Sequence, residues 1–183
     1  MKKKIVFYMC LLYKAKWGLR QIIIIATMII EIANINYKAS LLEPIDPALY
    51  RRRPPTMATI WVPEYKCKVI IFKSGKCRIM GLKREISQTC IDAKFPVKLK
   101  LGSIMSCTRT IDFQTGLLNL PQIRSRLGVK AAMYEPELFP ALRLIRFSPL
   151  CINVFHTGKC VITGLKSTNI NWDLIFQIRN SLQ

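Results

Sequence analysis

The chain carries one thirteen-residue segment twice. Ile71-Phe-Lys-Ser-Gly-Lys-Cys-Arg-Ile-Met-Gly-Leu-Lys83 returns 83 residues later as Val154-Phe-His-Thr-Gly-Lys-Cys-Val-Ile-Thr-Gly-Leu-Lys166, with eight of thirteen positions identical. Identity that dense at a constant offset marks a duplicated unit, so the fold has to be built from two copies of one pattern. Weaker echoes support it. Asp46-Pro-Ala-Leu-Tyr50 resembles Glu135-Pro-Glu-Leu-Phe139, and Ile24-Ile-Ala-Thr27 resembles Ile104-Met-Ser-Cys107. Their offsets of 89 and 80 mean that the copies took different insertions. Arg51-Arg-Arg-Pro-Pro55 reads as one of these, a basic loop whose prolines cannot sit inside a strand.

Each copy reads as a hairpin followed by a helix. Strands over 68–72 and 151–155 meet Ser-Gly and Thr-Gly turn signals, and second strands run to Gly81 and Gly164. After the second hairpin, Ile170, Leu174, Ile175 and Ile178 recur at helical spacing, with Asn169 as the expected cap. After the first, residues 87–95 form a short helix stopped by Pro96. The apolar, β-branched run Ile22–Ile30 reads as a buried strand, at less than half the length of a membrane-spanning helix. Helices then cover one face of a sheet and leave the other free.

Charge narrows the class of function. Over 183 residues, 29 Lys and Arg stand against 10 Asp and Glu, a net charge of +19, distributed as +12 in residues 1–91 and +7 in residues 92–183. A compact body so charged repels itself unless it meets a polyanion, and nucleic acid comes first among candidates. Half the residues are hydrophobic (51%), which excludes general disorder. Seven cysteines without a two-residue spacing, and the single His156, give no zinc-ligand pattern and imply no metal or cofactor. Gly-Lys is followed by Cys77 and Cys160 rather than Ser or Thr, so it is not a nucleotide-binding loop. The scattered carboxylates offer no acid–base pair, and an enzyme is not expected.

The segment Tyr134-Glu-Pro-Glu-Leu-Phe-Pro140, followed by Val154-Phe-His-Thr-Gly-Lys159 and Thr163-Gly-Leu-Lys166, resembles the TATA-box-binding protein family. The resemblance is strongest over 134–166, fair over 66–83, and extends faintly from residue 22 to the C-terminus. It implies an α+β fold: two pseudo-symmetric repeats (21–99 and 100–183, after an extension over 1–20) forming one curved antiparallel sheet, a saddle with helices on the convex face. It also implies minor-groove binding to A·T-rich duplex DNA, with aromatic wedges that bend the duplex, the mechanism for which this family is the general example.

By the same resemblance, the wedges are Phe155 with Phe139, and Phe72 with Tyr50. Lys76 and Lys159 lie near the DNA backbone, and Ile70, Val161, Thr163, Ile25 and Met105 face the groove. Glu135, Glu137 and Leu138 form the loop presented to a transcription factor IIB-like partner, with other general transcription factors as further partners and no membrane. The implied site of action is the nucleus or a viral transcription site. The family has an Asn in the first strand of each half, where Ile23 and Ser103 stand here, while Arg78, Met80 and Asn153 replace groove-facing residues. Those changes motivate an alternative: a saddle of weakened DNA selectivity that sequesters or redirects transcription factors. On a strand, Cys77 and Cys160 read as small apolar residues.

Overall fold

A computed structural model of the chain describes residues 28–50 and 57–183. Ile23, Ile25, residues 1–20 and Arg51–Arg53, singled out from the sequence, lie outside the described residues. Among the described residues nine antiparallel strands form one sheet in the order β2-β3-β4-β1-β5-β9-β8-β7-β6. In chain order these are β1 (Ile29–Leu41), β2 (Met57–Val62), β3 (Cys67–Phe72), β4 (Lys76–Leu82), β5 (Leu99–Asp112), β6 (Ala132–Met133), β7 (Ala141–Leu144), β8 (Cys151–Phe155) and β9 (Lys159–Leu165). The helices are α1 (Gln88–Lys94), α2 (Leu120–Leu127) and α3 (Trp172–Leu182). The duplication is visible in the order itself: β4-β1 on one side mirrors β5-β9 on the other, with the two repeated hairpins beyond them.

The register gives the correspondence between halves. In the first half Ala39 pairs with Cys77, and in the second Ile111 pairs with Cys160, so β1 and β5 correspond at a separation of 72 residues while the hairpins correspond at 83. This corrects the expected first strand. Ile104-Met-Ser-Cys107 matches Ile32-Ala-Asn-Ile35, eight residues later than Ile24–Thr27, so Ala33 is the counterpart of Met105 and Glu31 that of Ser103. Ile35 pairs with Cys107, its own counterpart, and this pair marks the local two-fold axis. On either side Asn34 pairs with Thr108 and Asn36 with Ser106.

Alternation puts one face of the sheet in the core. Ile35, Tyr37, Val69, Ile71, Ile79 and Leu82 pack with Ile91 of α1 and Phe95 in the first cluster. Ile111, Phe113, Ile152, Val154, Cys160 and Ile162 pack with Leu120 and Ile123 of α2 and Ile175, Ile178 and Leu182 of α3 in the second. Leu165 touches both clusters. Among the described residues all three helices pack on this face. The second helix had no counterpart in the sequence reading.

Caps explain the helix limits. Ser87 Oγ accepts from the Cys90 amide and starts α1, and Pro96 follows its last turn. Asn171, not Asn169, caps α3, its Oδ1 accepting from Leu174 N at 3.0 Å. Asn119 caps α2 by accepting from Gln122 N at 3.1 Å, with Pro121 in the first turn and Gly128 at the end. Burial holds the core thiols protonated: the Cys67 thiol is pushed up to about 11 and Cys160 to about 12.

Candidate nucleic-acid interface

The sheet face away from the helices carries the site. Residues directly opposed in an antiparallel ladder project to the same side, so each row can be read across the strands. In the first half, Thr59, Ile70, Arg78 and Lys38 lie in one row. The corresponding row of the second half is Arg143, Asn153, Val161 and Thr110, continued by Glu31 of β1. Flanking rows place Met57 beside Phe72, Ala141 beside Phe155, Cys151 beside Thr163, and Lys159 beside Asp112. Ile70, Val161, Thr163, Lys76 and Lys159 therefore share this open face, and Met105 lines the same hollow as Phe72 and Arg78. Phe72 and Phe155 lie on it too, away from the helices.

The middle of the face is polar. Asn36 Nδ2 donates to Ser106 Oγ at 3.0 Å, and Asn34 Oδ1 accepts from the Gly81 amide at 3.0 Å. Among the described residues Asn36 Oδ1 is buried without a partner. These groups flank the two-fold axis. The sequence reading missed Asn34, Asn36 and Lys38, although Asn34-x-Asn36-x-Lys38-x-Ser40 alternates polar residues with Ile35, Tyr37 and Ala39 at the strand period.

The two ends differ. At the second, the Phe139 and Phe155 rings meet edge to face, with centroids 6.1 Å apart and planes at 66°. Phe139 is 44% exposed and lies just before β7. At the first, Tyr50 packs against the first core cluster, and among the described residues no ring contact joins it to Phe72. Instead the Arg78 guanidinium lies over the Phe72 ring, 5.5 Å from its centroid.

The loop between β6 and β7 projects from the second half. The Glu135 carbonyl accepts from Leu138 N at 3.0 Å and Phe139 N at 2.9 Å, a turn that leaves Glu135, Glu137 and Leu138 exposed, Leu138 by 80%. The second hairpin tip is tied down: Phe113 N donates to the Gly158 carbonyl and Leu118 N to the His156 carbonyl. The first tip has the equivalent of one of these bonds, from Leu41 N to the Gly75 carbonyl.

Two fused copies, one open antiparallel sheet, helices behind and a cationic, ring-bearing face in front define a saddle of the transcription-factor type. The family model for transcription factor TFIID (or TATA-binding protein, TBP) matches residues 103–183. A TATA-box-binding protein of Picrophilus torridus is 32% identical over 133 residues, covering 66% of this chain and 71% of that protein. A TBP-related factor of Drosophila melanogaster is 31% identical over 114 residues, covering 56% of this chain. The chain spans about half of that relative's length (49%). The solved structure of Methanococcus jannaschii TBP superimposes with a TM-score of 0.60 at 25% identity, over 84% of this chain and 97% of that one. The chain belongs to the TATA-binding protein family, as a divergent member.

Proposed function

We propose that the chain binds A·T-rich promoter duplex in the minor groove, bends it and recruits a transcription factor IIB-like protein. The observation that carries this reading is the open sheet face with the Phe139–Phe155 pair projecting at one end and lysines at both hairpin tips. The minor groove of A·T pairs offers acceptors without the guanine amino group, so a surface of Ile70, Val161, Thr163 and Met105 matches its floor. Asn34, Asn36 and Ser106 stand where the central base edges pass. The Phe139–Phe155 wedge enters a base step at a cost of a few kcal/mol, offset by the surface the bent duplex covers. Lys76 and Lys159 neutralise phosphates and release counterions. The role is binding and not catalysis, and it is exercised in the nucleus or at a viral transcription site.

The partner surface is the loop carrying Glu135, Glu137 and Leu138. Two exposed acids on a chain of net charge +19 suit a basic protein surface rather than DNA. Glu137→Arg should weaken capture of a IIB-like factor on promoter DNA while leaving DNA affinity in place; unchanged capture refutes this assignment.

The test is a gel shift with A·T-rich against G·C-rich duplex at fixed salt, paired with a fluorescence-transfer bend assay. The expected result is preferential, bent A·T complexes; equal binding without a bend overturns it. Arg78, Lys38 and Glu31 on the groove face favour a second reading, a saddle that sequesters or redirects transcription factors. Capture of a IIB-like factor by a chain that does not bend DNA selects that reading.

A further inference from the structure

The duplication lets the two ends of the saddle be compared position by position, and they are chemically unlike. At the first end a hollow of about 620 Å³ is lined by Lys38, Lys76 and Arg78 together with Phe72, Ser74 and Met105. Among the described residues no carboxylate lines it. Its counterpart, about 290 Å³, is lined by Glu31 and Asp112 with Lys159, Thr110 and Ile29. Lys38 stands where the second half has Thr110, and Arg78 where it has Val161. Ser40 stands where it has Asp112.

Lys38 and Arg78 are directly opposed on neighbouring strands, an arrangement that is unfavourable until an anion is placed between or over the two charges. At the second end Glu31 and Asp112 lie beside Lys159 and offset its charge, so a phosphate is held less strongly there than at the first. The rings differ in the same sense. Among the described residues Phe155 has Phe139 beside it and no guanidinium over it, whereas Phe72 lies beneath Arg78 and the half-buried Tyr50 packs against the first core cluster. To enter a base step, Phe72 must first shed its cation.

We infer that the saddle is one-ended: the second half unstacks a base step with Phe139 and Phe155, while the first half grips an unkinked, narrow minor groove through Lys38, Lys76 and Arg78. This rests on the DNA-binding reading above and deepens it. Narrow A-tract grooves concentrate negative potential and attract arginine, and pyrimidine–purine steps unstack most cheaply. The preferred duplex is therefore directional, with a TA step under the second half and an A-tract under the first.

The test uses the full chain and an A·T-rich duplex with a TA step at one end and an A-tract at the other, carrying 2-aminopurine at either end to report unstacking. The fluorescence should rise at the TA end alone. Phe155→Ala should remove that rise and Phe72→Ala should leave it. Arg78→Val copies the residue of the second half, uncovers Phe72, and should add a signal at the A-tract end while lowering the slope of log affinity against log salt by about 0.9. A rise at both ends with the unaltered chain, loss of the signal in Phe72→Ala, or no new signal in Arg78→Val overturns the inference and leaves the DNA-binding reading intact. Absence of A·T preference and of any unstacking overturns that reading first and this inference with it.

Discussion

Glu85 and Thr168 occupy the same position in the two copies, 83 residues apart, and they are hydrogen-bonded to each other, Thr168 Oγ1 donating to the Glu85 carboxylate. Arg109 donates from Nη2 to the Thr168 carbonyl, so the link sits against the guanidinium of a buried arginine. Counterparts that touch lie on the symmetry axis, and here they tie the halves together on the helix side. Thr168→Val should cost about 0.5–1 kcal/mol, the net worth of one hydrogen bond whose exposed acceptor can turn to water. Urea unfolding of Thr168→Val, Glu85→Gln and the double variant checks it: single effects that simply add would refute a direct bond.

The two hairpin tips should respond differently to one substitution. Gly75 and Gly158 both have positive φ, +75° and +80°, so an alanine is strained at either. A Cβ at Gly75 meets nothing within 4 Å, whereas one at Gly158 falls 2.6 Å from Thr115 Oγ1 and 3.2 Å from the Gly116 carbonyl. Gly75→Ala should cost about 1 kcal/mol and Gly158→Ala roughly twice that or more. Equal losses in chemical unfolding would mean that the segment before α2 does not hold the second tip.

The Phe139–Phe155 pair predicts a coupled effect on DNA. Edge-to-face rings contribute about 0.5–1.5 kcal/mol beyond their burial. Phe139→Ala and Phe155→Ala should each reduce the bend angle, and their double-mutant cycle on A·T-rich duplex should show coupling of that size. Additive losses would mean that the two rings act as separate contacts.

The thiols give a pH prediction. Burial raises the Cys67 and Cys160 thiols, to about 11 and about 12, above the value each has in the unfolded chain. Their contribution to stability is complete below about pH 8.5 and is lost as pH rises through the folded values, because the unfolded chain releases those protons first. The urea midpoint should fall above pH 9, and Cys67→Ala with Cys160→Ala should flatten that fall. Cys90 runs the other way: the Ser87 hydroxyl, 3.4 Å away, holds its thiol below the ordinary value. At pH 7.5 iodoacetamide should therefore modify Cys90 ahead of Cys67 and Cys160 by peptide mass spectrometry, and Ser87→Ala should slow it.

Much of this architecture was legible because hairpins are local. The Gly75 and Gly158 turns, the flanking apolar strands and the 83-residue offset specify β3-β4 and β8-β9 without reference to anything distant. The long central strands were harder. Composition favoured Ile22–Ile30, the most apolar run, but β1 extends through the alternating Asn34-Ile-Asn-Tyr-Lys, whose pairing with β5 is interrupted by register shifts beside Asn34 and Tyr37. A strand that serves both halves takes its register from two neighbours, and neither is near it in sequence. The second helix was missed because eight residues carry only a short apolar stripe, although Asn119, Pro121 and Gly128 supply its start and stop. Of the site, the aromatic and lysine positions stood out by repetition. The cationic hollow did not, because Lys38, Lys76 and Arg78 come from two strands that only the pairing of Lys38 with Arg78 brings together.

The ladder through Ile35 and Cys107 has a consequence for descent. A solitary ancestor of one copy would expose that strand bare, and two such molecules meeting edge to edge along it would make a homodimer with its rotation axis at this pair. Joining two such copies in one chain would make the companion permanent and lift the requirement that both subunits be identical. Arginine on one side and valine on the other are compatible only with such a fused molecule, and the one-ended grip proposed above would use that difference to tell the two directions of a duplex apart.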